Sequence, residues 1–169
     1  GCAIYSLAGS IPPHIKSICI PLVDNETAEY GLEQIVTDKI LEKFNQEGIL
    51  KVLNEEVANS ILKGTISKID ENPYTYNKEE SVSEYRYKVF LKLEWYDVLN
   101  NVNLISKTYT GFGSYGLSGD ISNDGIDNDN DGKIDEFDDD EFGEPRSFAA
   151  RIAMNKIAED ILNDIMTTW

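Results

Sequence analysis

From Glu84 to Trp95 the chain alternates with a period of two. Tyr85, Tyr87, Val89, Leu91, Leu93 and Trp95 are apolar or aromatic, and Glu84, Arg86, Lys88, Lys92 and Glu94 stand between them. Phe90 alone departs from the pattern. A helix would bring its apolar residues round every three or four positions, so this stretch predicts a long strand with one buried face and one polar face. Asn100-Asn101 marks a turn, and "VNLISKTYTGFGSYG" returns as the antiparallel partner.

The rest of the chain supplies material to cover that face. Ser60–Asp70 alternates Leu62, Gly64 and Ile66 with Lys63, Thr65 and Ser67, a strand weakened by its glycine. Ile15–Val23 is a short apolar run between Pro12-Pro13 and Asp24-Asn25 and reads as a buried strand, with Cys19 as a small hydrophobe inside it. "ILKVLN" is a further short strand. Leu32, Ile35, Val36, Ile40 and Phe44 fall at helical spacing, which predicts a helix over 28–47, capped by Asn25 or Thr27 and stopped by Gly48. Phe148, Ile152, Met154, Ile157, Ala158, Ile161, Leu162 and Ile165 share one broad face of a second helix over 146–166. The order β-α-β-β-β-β-α predicts an α/β two-layer sandwich: a mixed four- to five-stranded sheet with two helices on one face. Ile35, Val36, Ile40, Phe44, Ile157, Ile161 and Ile165 are the expected core.

One segment cannot join that core. Between Asp120 and Glu144 stand twelve carboxylates and one lysine, a local charge of −11 out of −16 for the chain, so the remainder carries −5. This is a mildly acidic domain with a very acidic insert at about 120–145. The balance argues against a nucleic-acid partner, whose phosphates need a basic face. Within the insert, Asp127, Asp129, Asp131, Gly132, Lys133, Asp135 and Asp138 occupy positions 1, 3, 5, 6, 7, 9 and 12 of a calcium loop. The glycine permits the sharp turn, and Lys133 is tolerated because its position offers only a backbone carbonyl. The spacing resembles thrombospondin type 3 and dockerin-like calcium loops. Ca²⁺ is the expected ion, held by Asp127, Asp129, Asp131 and Asp138, by the Lys133 carbonyl, and by Asp135 through a water. Without an ion, the same residues would form a solvated acidic loop.

The chain begins "GCAIYS". Gly-Cys resembles the end of a bacterial lipobox, which makes Cys2 a candidate for lipidation. Residues 1–14 then read as a lipid-anchor tether and 15–169 as one domain. Ala3 after the cysteine is compatible with export to the outer membrane in lipoproteins of this kind.

Several segments together resemble the LptE family of lipopolysaccharide-assembly lipoproteins. They are the "GC" start, "IKSICIPLVDN" running into "NETAEYGLE", "ANSILKGTISKI", "EYRYKVFLKLEWYD", and "AARIAMNKIAEDILNDI". The resemblance covers most of the chain except the acidic insert. It implies a non-catalytic outer-membrane lipoprotein on the periplasmic face. Such a protein plugs and supports an LptD-like β-barrel that delivers lipopolysaccharide, and itself binds lipopolysaccharide. The alternative is a surface or periplasmic calcium-binding lipoprotein used in adhesion or glycan binding.

Other candidates carry less. His14, the single histidine, is expected to be an exposed tether residue. "GFGSYG" at 111–116 precedes neither a helix nor a Lys-Ser/Thr pair, so it is no phosphate loop; its glycines are expected to let the strand bend or bulge. Tyr74, Tyr76, Tyr85, Tyr87, Trp95 and Tyr96 are expected for their sheet propensity more than as a lipid or glycan surface.

Overall fold

The computed structural model describes residues 11–116 and 143–167, together with Gly125, Asp127, Gly132 and Lys133. The elements in chain order are β1 (Ser17–Cys19), β2 (Asp24–Asn25), α1 (Leu32–Glu47), β3 (Lys51–Val52), β4 (Ser60–Tyr76), β5 (Val82–Asp97), β6 (Val102–Gly116) and α2 (Pro145–Thr167). They form the predicted two-layer α/β sandwich. The sheet runs β3-β1-β4-β5-β6, and β2 pairs with β4. β1, β2 and β3 join in parallel, whereas β4, β5 and β6 form an antiparallel meander. The sixth strand, beyond the expected count, is the two-residue β2. It continues along the β4 edge after β1, where Pro21 between them lacks an amide to donate.

The period of β5 decides which face is buried. Tyr87, Val89, Leu91, Leu93 and Trp95 face the helices and are nearly inaccessible. Both helices lie on this face and pack against each other. α1 contributes Leu32, Val36, Ile40 and Phe44; α2 contributes Phe148, Met154, Ile157, Ile161, Leu162 and Ile165. Ile35, expected in the core, is half-buried at its margin. Thr37 is buried instead. Its hydroxyl donates to the Glu33 carbonyl (2.6 Å) and accepts the Val23 amide (3.0 Å), joining α1 to the chain before β2.

Two local readings change. The cap of α1 is Gly31, in the left-handed region at φ +90°, not Asn25 or Thr27. Those two side chains close turns upstream: Asn25 Oδ1 accepts the Thr27 amide at 2.9 Å, and Thr27 Oγ1 accepts the Glu29 amide at 3.3 Å. Glu33, two residues on, accepts the Gly31 amide at 3.1 Å and so satisfies the cap's own N–H. At the other end Gly48 stops the helix as expected, with φ +62° and its amide on the Phe44 carbonyl.

The second change concerns Gly111 and Gly113. They pair in continuous register with Val89 and Tyr87, and the β5–β6 ladder shifts register only between Trp95 and Tyr96. There is no bulge at the glycines. They instead let α2 approach: a Cβ on Gly111 would lie 2.9 Å from the Ala153 carbonyl carbon, and one on Gly113 2.7 Å from the Ala149 Cα. Small residues on both partners bring helix and strand into backbone contact.

Candidate functional site

The second face of the sheet carries no helix among the described residues. Cross-strand register places Lys63, Thr65, Lys68, Asp70 and Asn72 of β4 on it, beside Glu94, Lys92, Phe90, Lys88 and Arg86 of β5. From β6 come Ser106, Thr108, Thr110, Phe112 and Ser114. The face therefore gathers Lys63, Lys68, Arg86, Lys88 and Lys92 in a chain whose net charge is −16.

Three of these cations are seated on aromatic rings. The Arg86 guanidinium stands 3.8 Å from the Tyr74 ring centroid and 4.1 Å from that of Phe112, so two rings from flanking strands enclose it. Its Nε is buried and has no hydrogen-bond partner among the described residues. Lys68 and Lys88 place their ammonium groups 5.5 and 5.8 Å from the Phe90 ring. This explains the one break in the β5 alternation: Phe90 faces outward and forms the floor under two lysines. Lys68 also pairs with Asp70 at 2.9 Å. Ring stacking fixes a cation's position and strips part of its water, each contact contributing about 0.5–2 kcal/mol. A guanidinium held this way keeps its planar donor edge for a carboxylate or phosphate. Tyr74 and Phe112 remain about half exposed, which leaves apolar surface beside the charge. The arrangement suits an amphiphile with an anionic head.

Toward the β5–β6 turn the face becomes a shallow hollow of about 760 Å³, lined by Leu22, Lys63, Thr65, Lys92, Glu94 and Thr108 among others. Beyond the hollow, Cys19, Ala58 and Ile61 form a small buried cluster with Leu53 and Tyr96. Cys19 is thus buried as expected, on the side away from the helices.

On the helical side, Arg146 at the start of α2 is held by two carboxylates. Its Nε and one terminal nitrogen bond Glu71 of β4 at 3.0–3.1 Å, and its terminal nitrogens also meet Glu29. The Tyr87 hydroxyl donates to Glu29 at 2.6 Å, and the Tyr115 hydroxyl donates to Glu71. Burial opposes ionisation of Glu29, but the Arg146 and Tyr87 hydrogen bonds and the Arg146 charge prevail and hold its carboxyl below the usual range. Burial, then the Glu29 hydrogen bond and charge, push the Tyr87 phenol above its ordinary value. With both carboxylates bonded to Arg146 and each to a tyrosine hydroxyl, this cluster fastens α2 to the sheet.

His14 is not an exposed tether residue. It is half-buried, and its Nε2 lies 2.7 Å from Oδ2 of Asp97, which is itself buried. Of the six tyrosines and tryptophans named from the sequence, Tyr87 and Trp95 are core residues. Tyr85 stacks on Tyr115 at 5.7 Å, while Tyr74 and Tyr76 are exposed.

Of the predicted metal ligands, Asp127 and Lys133 are described. The Gly132 amide donates to Asp127 Oδ2 at 2.9 Å, and Gly132 has φ +96°. Asp129, Asp131, Asp135 and Asp138 lie outside the described residues, as does Cys2. Among the described residues no helix is long and apolar enough to cross a membrane.

The family model described as LptE, lipopolysaccharide-assembly, matches residues 15–168. The chain belongs to the LptE family. The match runs from the residue after His14 through α2 and so takes in both helices, every strand and the helix-free face. No curated protein matches the sequence. Among solved structures, XCC0632 from Xanthomonas campestris is 9% identical, with a TM-score of 0.57 over 92% of this chain and 88% of that one. CT253 from Chlamydia trachomatis is 8% identical, with a TM-score of 0.55 over 90% and 98%. Lipoprotein B from Nitrosomonas europaea is 10% identical, with a TM-score of 0.53 over 98% and 90%. At such identities these likenesses establish a shared fold.

The aromatic seat of Arg86 was not visible in the sequence. Alternation puts Arg86, Lys88 and Lys92 on the polar side of β5. That Tyr74 and Phe112 flank the arginine depends on the registers of β4 and β6.

Proposed function

We propose that this LptE-family chain is a non-catalytic bacterial lipoprotein of the outer membrane. It is anchored on the periplasmic face through lipidated Cys2 and partners and plugs the LptD-like β-barrel that delivers lipopolysaccharide. The family match over 15–168 carries the reading. The helix-free face supports its ligand half. Lipopolysaccharide combines anionic sugar-borne groups with acyl chains, and the face sets Arg86, Lys68 and Lys88 among Tyr74, Phe90 and Phe112. The head would meet the fixed guanidinium by charge-assisted hydrogen bonds, and the half-exposed rings would take apolar surface. The protein would bind and hand on the lipid without making or breaking a bond.

Two measurements test this. Native membranes extracted in mild detergent should yield the chain together with a large outer-membrane β-barrel; a chain that purifies alone argues for the adhesion or glycan-binding alternative. Purified wild type should bind lipopolysaccharide, and Arg86→Ala should weaken binding by roughly tenfold, the value of one strong charge-assisted contact. Equal binding by the two would remove this face from the proposal. Mass spectrometry of the native N-terminus decides the anchor, with an unmodified Cys2 counting against it.

We also propose that the acidic insert binds Ca²⁺. The support is the spacing of Asp127, Asp129, Asp131 and Asp138, with a left-handed Gly132 whose amide closes on Asp127. A cation lets clustered carboxylates converge that would otherwise repel. The role is local ordering of the insert.

A further inference from the structure

The turn between β5 and β6 is uncharged and exposes three aliphatic side chains beside Asn100, Asn101 and Asn103. Val98, Leu99 and Val102 are 40%, 69% and 48% exposed, in a turn where polar side chains are the rule. From Val98 to Ser106 no residue is charged, although 27% of the chain is. Asp97, at the base of the turn, is buried and spent on internal bonds: Oδ1 accepts the Leu99 amide at 3.0 Å, and Oδ2 accepts the Asn100 side chain at 2.8 Å. Asp97 thus braces the turn from within while its aliphatic side chains stay exposed. Val57, 63% exposed, belongs to the neighbouring turn, which the Val98 amide joins through the Asn59 carbonyl at 3.1 Å.

The N-terminal segment arrives at the same place. His14 bonds Asp97 at 2.7 Å, within the same turn, and the Lys16 amide bonds Asn59 at 3.0 Å. Cys2 precedes Ile11 by nine residues, which span at most about 30 Å. An anchor at Cys2 thus keeps Ile11 within that distance of the bilayer, and His14 with the turn it bonds within about 40 Å. The far end, at Tyr76, stands roughly 50 Å away along β5. Exposed Lys16 follows His14 by two residues, and exposed Glu55 and Glu56 precede Val57 in the chain.

From the three exposed aliphatic side chains of this uncharged turn and the His14 segment bonded beside it, we infer that the β5–β6 turn is a membrane-contact element. Val98, Leu99 and Val102 enter the interface of the phospholipid leaflet that holds the anchor. The contact is shallow, because three aliphatic side chains bind weakly alone and act only at the local concentration that the tether imposes. The inference rests on the anchoring reading for its setting, but its test does not need a lipidated Cys2. The full chain, with Cys2→Ser and an N-terminal hexahistidine, is held on vesicles of phosphatidylethanolamine and phosphatidylglycerol that contain a nickel-chelating lipid. A nitrobenzoxadiazole probe is attached through Leu99→Cys or, as the control, Tyr76→Cys. Circular dichroism checks that both fold, and Cys19 is buried against labelling. The expected result at position 99 is a blue shift on vesicles and quenching by nitroxide-labelled lipid, both absent at position 76. An unshifted probe at position 99 overturns the inference. So does a shift that appears without vesicles as protein concentration rises, which would assign the tip to a second copy of the chain.

Discussion

A Cβ on Gly113 would meet the Ala149 Cα at 2.7 Å and its carbonyl carbon at 2.8 Å, both backbone atoms of a packed helix. Gly113→Ala should therefore push α2 off the sheet and cost about 1–3 kcal/mol or more in urea unfolding. Gly48 is the contrasting case. Among the described residues nothing lies within 4 Å of its missing Cβ, and φ +62° is what resists a side chain. Gly48→Ala should cost about 1 kcal/mol, through backbone strain alone. The charged residues act with pH. Burial disfavours the Asp97 carboxylate, but the His14 and Asn100 hydrogen bonds outweigh it, so its folded pKa lies below the ordinary value. The same sign holds for Glu29 and for Asp164, where the Lys107 and Tyr109 bonds prevail over burial. A depressed carboxylate stabilises the fold above its unfolded pKa, near 4, and loses that contribution as pH falls through the folded value. Thermal midpoints should thus drop steeply below about pH 4. Asp97→Asn should start lower at neutral pH and fall less on acidification; parallel curves would remove Asp97 from the account.

α2 holds the molecule together at the level of elements. It covers β5 and β6, packs on α1, and starts at the Arg146 clamp. Ile161 is fully buried in it, so Ile161→Ala should cost roughly 2–5 kcal/mol by calorimetry. Arg146→Ala removes hydrogen bonds to two half-exposed carboxylates. The expected loss is smaller, about 1–3 kcal/mol, since solvent screens part of the attraction. Hydrogen exchange should show that loss concentrated in the first turns of α2, because Arg146 ties them to β4 and to the chain before α1. The elements of the second face behave differently. Arg86 packs between two rings outside the core, so its removal should affect ligand binding far more than stability.

For the whole molecule, the functional reading divides labour between two faces and one end. The helical face supplies stability, the helix-free face supplies cations on aromatic seats, and the β5–β6 end holds His14 through Asp97. In the chain the acidic insert stands between β6 and α2. Ca²⁺ at millimolar concentration should raise the thermal midpoint of the wild type by mass action. Mg²⁺ should do less, since it demands tighter octahedral geometry. Asp131→Ala should abolish the calcium effect and leave the calcium-free midpoint unchanged. No heat of binding in the wild type would leave the insert as a solvated acidic loop.

The sequence by itself determined the layers. Period two in β5 and the apolar stripes of α1 and α2 are local, and each states which side of its element must leave water; from them follow one sheet and both helices on one face. The glycine stop at Gly48 was equally legible, because a left-handed residue acts within its own turn. Tertiary structure decided what depends on partners far apart in the chain. Arg146 meets Glu71 and Glu29 across 75 and 117 residues, and no pattern in the sequence announces that pairing. Phe90 breaks the alternation in sequence, yet in the sheet it lies under Lys68 from the neighbouring strand. Asn25 and Thr27 carry the chemistry of helix caps, but the chain uses them in turns and starts α1 at Gly31, because buried Leu32 and Val36 fix where the helix must lie. Gly111 and Gly113 look like a bend in one strand; opposite Ala153 and Ala149 they are the place where a helix touches a sheet. In each case the local chemistry allows two outcomes, and packing against a distant segment selects one.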